Sequence, residues 1–123
     1  MPYSITVHRV VCAAHALRLP GGVVEPLHGH NWEVRVTVAR DELDDTGFVI
    51  DFHDLERQLD GVLRPLHNAY LNDLPELEGV NPTAENLCRH IALRLRLPPS
   101  VVLESVEVTE APGCIARFRP ARS

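Results

Sequence analysis

PLHGHNWEVRVTV, residues 26–38, decides the fold. Trp32, Val34, Val36 and Val38 alternate with Asn31, Glu33, Arg35 and Thr37. A period of two puts alternate side chains on opposite faces, so residues 30–39 are predicted to form a strand with one apolar face. The other face is too polar for a core. It must meet water or line the wet interior of an oligomer.

Two histidines sit at the head of this strand. His28 and His30 project to the same side, about 7 Å apart at Cα from a rise of ~3.3 Å per residue. Imidazoles at that spacing can converge on one ion, and a catalytic zinc site takes three protein ligands plus an open position. Gly29 between them removes a Cβ where chains approach. The alternative is a pair of surface histidines on a strand edge.

Upstream, SITVHRVVCAAH (residues 4–15) is β-branched and apolar, a first strand, and LPGG (19–22) is a turn. A hairpin of the two strands brings His15 near His28 and His30, which makes it the best third ligand. His8 lies too far from the turn, and His53 falls near a helix start. Cys12 has the parity opposite to His15 and reads as a buried strand cysteine. Cys88 and Cys114 receive the same reading.

Downstream, DELDDTG (41–47) is a polar loop. The period then changes: Phe52, Leu55, Leu59, Val62, Leu63 and Leu66 share a helical stripe, with Asp51 as N-cap and Pro65 at the end. A loop rich in Asn, Asp and Pro runs to about residue 81. NPTAE opens a second helix, with Asn81 as cap, Pro82 in the first turn, and Leu87, Cys88, Ile91 and Leu95 on its buried side. VVLESVEVTE (101–110) is a third strand, and residues 114–119 return as a fourth. Glu110 continues the parity of Val102, Val106 and Val108. A carboxylate on an apolar face must be paired, and a ligand offering two adjacent N–H donors would satisfy it. The alternative is that it lies past the strand and faces water.

The order strand, strand, helix, helix, strand, strand predicts an α+β domain, an antiparallel sheet with both helices on one face. The 123 residues make one domain, 1–123, with an ordinary 45% hydrophobic and 24% charged content. The net charge of −5 argues against nucleic acid or an anionic membrane as partner. No apolar stretch approaches the ~18 residues of a membrane helix, and His8, Arg9 and His15 interrupt the one candidate leader. Three cysteines without a C-x-x-C pair imply reduced thiols and a cytoplasmic setting.

Taken together, A-A-H (13–15), L-H-G-H-N (27–31), G-F-V-I-D-F (47–52), Y-L-N-D (70–73), N-P-T-A-E-N-L (81–87), V-T-E (108–110) and G-C-I (113–115) resemble the 6-pyruvoyltetrahydropterin and 6-carboxytetrahydropterin synthase family. The resemblance implies the tunnelling fold, a four-stranded antiparallel sheet with two helices inserted between strands two and three. It implies trimers closing a strand barrel and stacking as homohexamers with interfacial sites. It further implies Zn2+ on His15, His28 and His30, a pterin held by Glu110 with Thr83 nearby, and lyase or synthase chemistry on 7,8-dihydroneopterin triphosphate. One such reaction leads towards deazapurine (queuosine-type) nucleosides.

The sequence departs from the family at the acid–base residues. The usual Cys, four residues before the first His of H-G-H, is Val24 here; the nearest ionisable group is Glu25. The family's Asp-His pair reads His67-Asn68. Glu25 and His67 are therefore the candidate catalytic groups. The competing expectations are a pterin-binding homologue without synthase activity and an interaction protein whose histidines are incidental.

Overall fold

The computed structural model describes residues 1–121. Its elements are strands β1 (Tyr3–His15) and β2 (His28–Arg40), helix α1 (Phe52–Leu63), a short strand β3 (Ala69–Tyr70), helix α2 (Ala84–Arg94), and strands β4 (Val102–Ala111) and β5 (Cys114–Phe118). Single 3-10 turns occupy Pro20–Gly22, Leu71–Asp73 and Pro75–Leu77.

The sheet order is β3-β1-β2-β4-β5. β1 and β2 pair antiparallel along their whole lengths, from Tyr3 opposite Arg40 to His15 opposite His28. The link between them is closed by Gly21 (φ 81°) and Gly22 (φ 78°), a left-handed conformation that only glycine adopts at little cost. β2 pairs antiparallel with β4, with a bulge at Thr37/Val38, and β4 with β5. β3 corrects the expected four strands to five: it lies parallel to β1 through Ala13–Ala69 and Ala14–Tyr70. Two residues are too short to show alternation, so this strand has no sequence signature.

Both helices cover one face, α1 over β1 and α2 over β4 and β5. Trp32, Val34, Val36, Val38, Val106 and Val108 form the floor, each at most 1% exposed. Leu55, Leu59 and Leu63 of α1, and Leu87, Cys88 and Ile91 of α2, close over them. An i, i+4 stripe of this kind buries one side of a helix because 3.6 residues make a turn. Burial pushes the Cys88 thiol up to about 11, so that cysteine acts as a small apolar residue.

The caps follow local chemistry. The Asp51 carboxylate accepts from the His53 amide at 2.7 Å. α2 is capped by Thr83, not Asn81: the Thr83 hydroxyl accepts from the Asn86 amide at 3.1 Å. Phe52, expected on the buried stripe, is 53% exposed. It is the first helical residue and sits with Tyr3, Leu43 and Phe48 around a surface hollow instead of reaching the sheet. Cys12 and Cys114 are exposed, not buried: Cys12 lies off the helix-covered side of β1, and Cys114 is the first residue of the edge strand β5. Among the described residues, no helix is long and apolar enough to cross a membrane.

Candidate metal centre

The hairpin register builds the centre. His15 ends β1 directly opposite His28, and His30 lies two residues further along β2, opposite Ala13. Residues on one face of paired strands meet as direct and diagonal neighbours. The His15 ring lies 4.7 Å from that of His28 and 5.1 Å from that of His30, centroid to centroid, and His28 and His30 are 4.7 Å apart. Trp32, the next core-facing residue of β2, sets its indole edge-on to His15 (4.8 Å) and His30 (5.1 Å). Its Nε1–H donates to the Ala13 carbonyl at 3.1 Å, which fixes that wall.

Backbone carbonyls orient the rings. The Nδ1 of His15, a fully buried residue, is 2.8 Å from the Pro82 carbonyl, and the Nδ1 of His28 is 3.0 Å from the Pro26 carbonyl. A carbonyl only accepts, so each Nδ1 carries the proton and each Nε2 presents a lone pair. Those two lone-pair nitrogens lie 3.1 Å apart. His30 Nε2 is buried with no hydrogen-bond partner. Burial, more than any neighbour, holds the His30 imidazole below its ordinary pKa against the opposing pull of Glu110, and so favours the neutral, ligating form.

Three ligand nitrogens thus lie within 4.8 Å of one another, and those of His15 and His28 face each other as lone pairs. Facing lone pairs repel unless a cation lies between them. Zinc bonds of ~2.0–2.1 Å ask tetrahedral nitrogens to stand about 3.3 Å apart, within reach of small ring rotations here. The cluster therefore fits a metal ion, and ligating histidines commonly donate their other ring N–H to a backbone carbonyl, as His15 and His28 do here.

Two carboxylates flank it. Glu25 Oε1 accepts from the Leu17 amide at 3.0 Å and stands 3.7 Å from His28 Nε2. Glu110 Oε1 is 3.4 Å from His15 Nε2 and 3.8 Å from His30 Nε2. The ladder between β2 and β4 stops at Glu33–Thr109. Beyond it the strands part around a cleft of about 580 Å³ lined by Gly29, His30, Asn31, Glu33, Thr109 and Glu110. That is within the range of roughly 300–1,000 Å³ typical of small-molecule sites. A larger groove between α1 and α2 holds none of the three histidines.

A family model for 6-pyruvoyl tetrahydropterin synthase matches residues 4–121. This chain belongs to that family. The 6-carboxy-5,6,7,8-tetrahydropterin synthase of Synechocystis is 39% identical over 111 residues, which covers 86% of this chain and 84% of the relative. The Bacillus subtilis 6-carboxy-5,6,7,8-tetrahydropterin synthase is 32% identical over 132 residues (98% and 89%). The dihydroneopterin monophosphate aldolase of Pyrococcus furiosus is 35% identical over 100 residues (80% and 81%). Among solved structures, the Plasmodium falciparum 6-pyruvoyl tetrahydropterin synthase aligns with a TM-score of 0.77 at 18% identity, covering 96% of this chain and 97% of that one. The Caenorhabditis elegans 6-pyruvoyl tetrahydropterin synthase gives 0.71 at 23% identity, covering 97% of each. The α+β architecture is the tunnelling fold shared by these 6-pyruvoyl tetrahydropterin synthases.

Set in that family, the structure separates the candidate residues. His15, His28, His30, Glu25 and Glu110 come together. Val24 is 58% exposed, its backbone paired with Arg18. His67 stands apart at the outer edge of β1, where its Nδ1 accepts from the Cys12 amide at 3.3 Å. Asn68 takes a left-handed φ of 58° beside it and donates its N–H to the Cys12 carbonyl at 2.6 Å. His8 faces Glu33 at 3.8 Å and His53 faces Glu56 at 3.1 Å, both away from the centre. Thr83 follows directly on Pro82, the residue that orients His15. Gly29 is not demanded by its own chain: a Cβ there would meet only the Ala13 carbonyl, at an ordinary 3.9 Å.

Supporting residues escaped the sequence reading. Asn72 pairs with both backbone groups of Ala16, accepting from its N–H at 2.9 Å and donating to its C=O at 2.7 Å. Asn81 does the same for Arg18, at 2.9 and 3.0 Å. Two side-chain amides thus continue the β1 ladder past His15, and the Asn86 side chain donates to the Asn81 carbonyl at 2.8 Å. The motifs Y-L-N-D and N-P-T-A-E-N-L contain these asparagines, but nothing in the spacing names their partners.

Proposed function

We propose that this protein is a zinc-dependent lyase acting on the side chain of a dihydropterin such as 7,8-dihydroneopterin triphosphate, with zinc on His15, His28 and His30. The carrying observation is the convergence of three ring nitrogens, with the protons of His15 and His28 held by backbone carbonyls, beside the Glu25 carboxylate. A zinc ion held there would supply Lewis acidity towards a substrate oxygen.

Glu25 is the better general base. Its carboxylate reaches the centre, whereas Val24 carries no proton acceptor. The Leu17 amide engages Oε1, which leaves Oε2 to take a proton from the substrate side chain. In the Plasmodium vivax 6-pyruvoyltetrahydropterin synthase a glutamate that is a catalytic residue has been replaced by alanine and by cysteine. Glu110 supplies a carboxylate for adjacent N–H donors of a pterin ring, with Thr83 at the rim of the same region. His67 is the second candidate acid or base, and at the edge of β1 it would act only on a site completed across a subunit boundary.

Such a boundary is available. β3 covers β1 only at Ala13–Ala14, so most of the outer edge of β1 and the outer edge of β5 have no strand partner within the chain. Unpaired edges invite pairing between copies. Trimers closing a barrel, or hexamers of two trimers, would satisfy them and would enclose the polar face of β2. The free thiols of Cys12, Cys88 and Cys114 suit a reducing cytoplasm.

The test is incubation of zinc-loaded protein with 7,8-dihydroneopterin triphosphate, its monophosphate and dihydroneopterin, with products identified by mass. Formation of a 6-carboxy-, 6-pyruvoyl- or side-chain-cleaved pterin supports the reading. All three substrates left unchanged over hours refute lyase activity. Full metal content in His15→Ala refutes the centre itself.

A further inference from the structure

We propose that Glu110 is a fourth metal ligand in the substrate-free protein, and that it must leave the metal to hold a pterin ring. The inference rests on the three-histidine centre of the proposed function and adds a carboxylate oxygen to it.

The geometry is specific to Glu110. Its Oε1 lies within 4 Å of two ligand nitrogens, 3.4 Å from His15 Nε2 and 3.8 Å from His30 Nε2. The proton of His15 is committed to the Pro82 carbonyl, so the nitrogen facing Glu110 is a lone pair. A carboxylate oxygen against that lone pair is repulsive in the absence of a cation. The same oxygen becomes a fitting donor once a cation occupies the point they share. Glu110 makes no other hydrogen bond or ion pair among the described residues, whereas Glu25 Oε1 already accepts from Leu17 and faces one histidine only. His30 Nε2, buried and unpartnered, faces the same oxygen.

Zinc and its analogue cobalt accept three nitrogens and one oxygen in a four-coordinate shell. A carboxylate in that position closes the place a substrate oxygen would take. One carboxylate cannot both ligate the metal through this oxygen and receive two N–H donors of a flat heterocycle. With a metal on the three histidines, Glu110 would have to give up that place before it could accept the ring's donors, which would leave the position open to a substrate oxygen. No bond to carbon is made or broken in that exchange. The cleft between β2 and β4, which Glu110 lines, is the space into which the carboxylate swings.

The experiment uses the full chain loaded with cobalt(II), whose visible bands report its ligands. Glu110→Gln is expected to weaken cobalt binding at least tenfold by chelator competition and to shift the bands. Glu33→Gln, which removes another charge from the same cleft, is expected to leave both unchanged. Glu110→Asp, the variant to use if the glutamine form does not fold, shortens the side chain and is expected to weaken binding in the same direction. Neopterin, an oxidised pterin, is expected to move the wild-type bands in the sense of Glu110→Gln. Wild-type bands and affinity in Glu110→Gln or Glu110→Asp, or an effect of Glu33→Gln equal to that of Glu110→Gln, overturn the ligation. Wild-type bands that stay fixed while neopterin fluorescence is quenched by binding overturn the exchange. Each of these outcomes leaves the three-histidine centre standing, which only metal retention in His15→Ala removes.

Discussion

Trp32→Phe tests whether the core wall and the metal centre are one structure. The substitution keeps an aromatic ring but removes the Nε1–H that reaches the Ala13 carbonyl at 3.1 Å. Losing that donor at a buried carbonyl costs about 1–3 kcal/mol. Trimming a fully buried indole to a benzene ring adds about 1–2 kcal/mol, a fraction of the cost of truncation to alanine. The expected loss is therefore about 2–5 kcal/mol. Unfolding entropy of about 2.1 cal/mol/K per residue gives roughly 0.26 kcal/mol/K for 123 residues, so the melting temperature should fall by about 8–19 °C. The assay is calorimetric melting of chelator-stripped protein. Because the indole edge abuts His15 and His30 at 4.8 and 5.1 Å, zinc affinity should fall too, by about 10–100-fold as for other outer-sphere supports. A shift below about 3 °C with unchanged zinc affinity would show that the indole supports neither the core nor the ligands.

Three further outcomes follow from particular contacts. Glu25→Gln retains an acceptor for the Leu17 amide but cannot take a proton, so steady-state kinetics should show kcat down by about 10²–10⁴-fold with KM little changed; a loss under fivefold excludes Glu25 as the base. Asp51→Ala removes the cap of α1 and should lower stability by about 1 kcal/mol in urea titrations, with zinc content intact. His90 is buried, and burial first, then Arg94, lowers its pKa below 6.5 against Glu76. The unfolded chain therefore binds this proton first as the pH falls, so stability should be flat above pH 6.5 and decline below it. His90→Gln should flatten part of that decline in urea midpoints of metal-free protein, and identical slopes would refute the assignment.

Much of the fold was legible because two periodicities are clean. Trp32, Val34, Val36 and Val38 are all buried, and Leu55, Leu59 and Leu63 line one side of α1. H-x-H with His15 across a hairpin foretold that the three histidines meet, since strand parity and register are local rules. The errors arose where local rules end. Phe52 obeys the helical period but precedes the part of α1 that meets the sheet. Asn81 looks like a cap, yet its side chain is spent on Arg18, and Thr83 caps α2 instead. β3 exists only because its two residues reach β1 in space. The location of His67 at the edge of β1 likewise depends on a tertiary pairing with Cys12.

Residues 81–83 tie three distant segments together in consecutive steps. Asn81 holds the chain beyond β1, the Pro82 carbonyl aims His15, and Thr83 starts α2. The first ligand is thus aimed only after the second helix has begun. Metal uptake should then report completed folding rather than guide its early stages, because a nascent hairpin carries all three histidines but lacks the Pro82 carbonyl that fixes the His15 ring. If the three histidines hold a metal as proposed, fraying of the first turn of α2 should surface at the bench as lower metal content before any lost helicity could be measured.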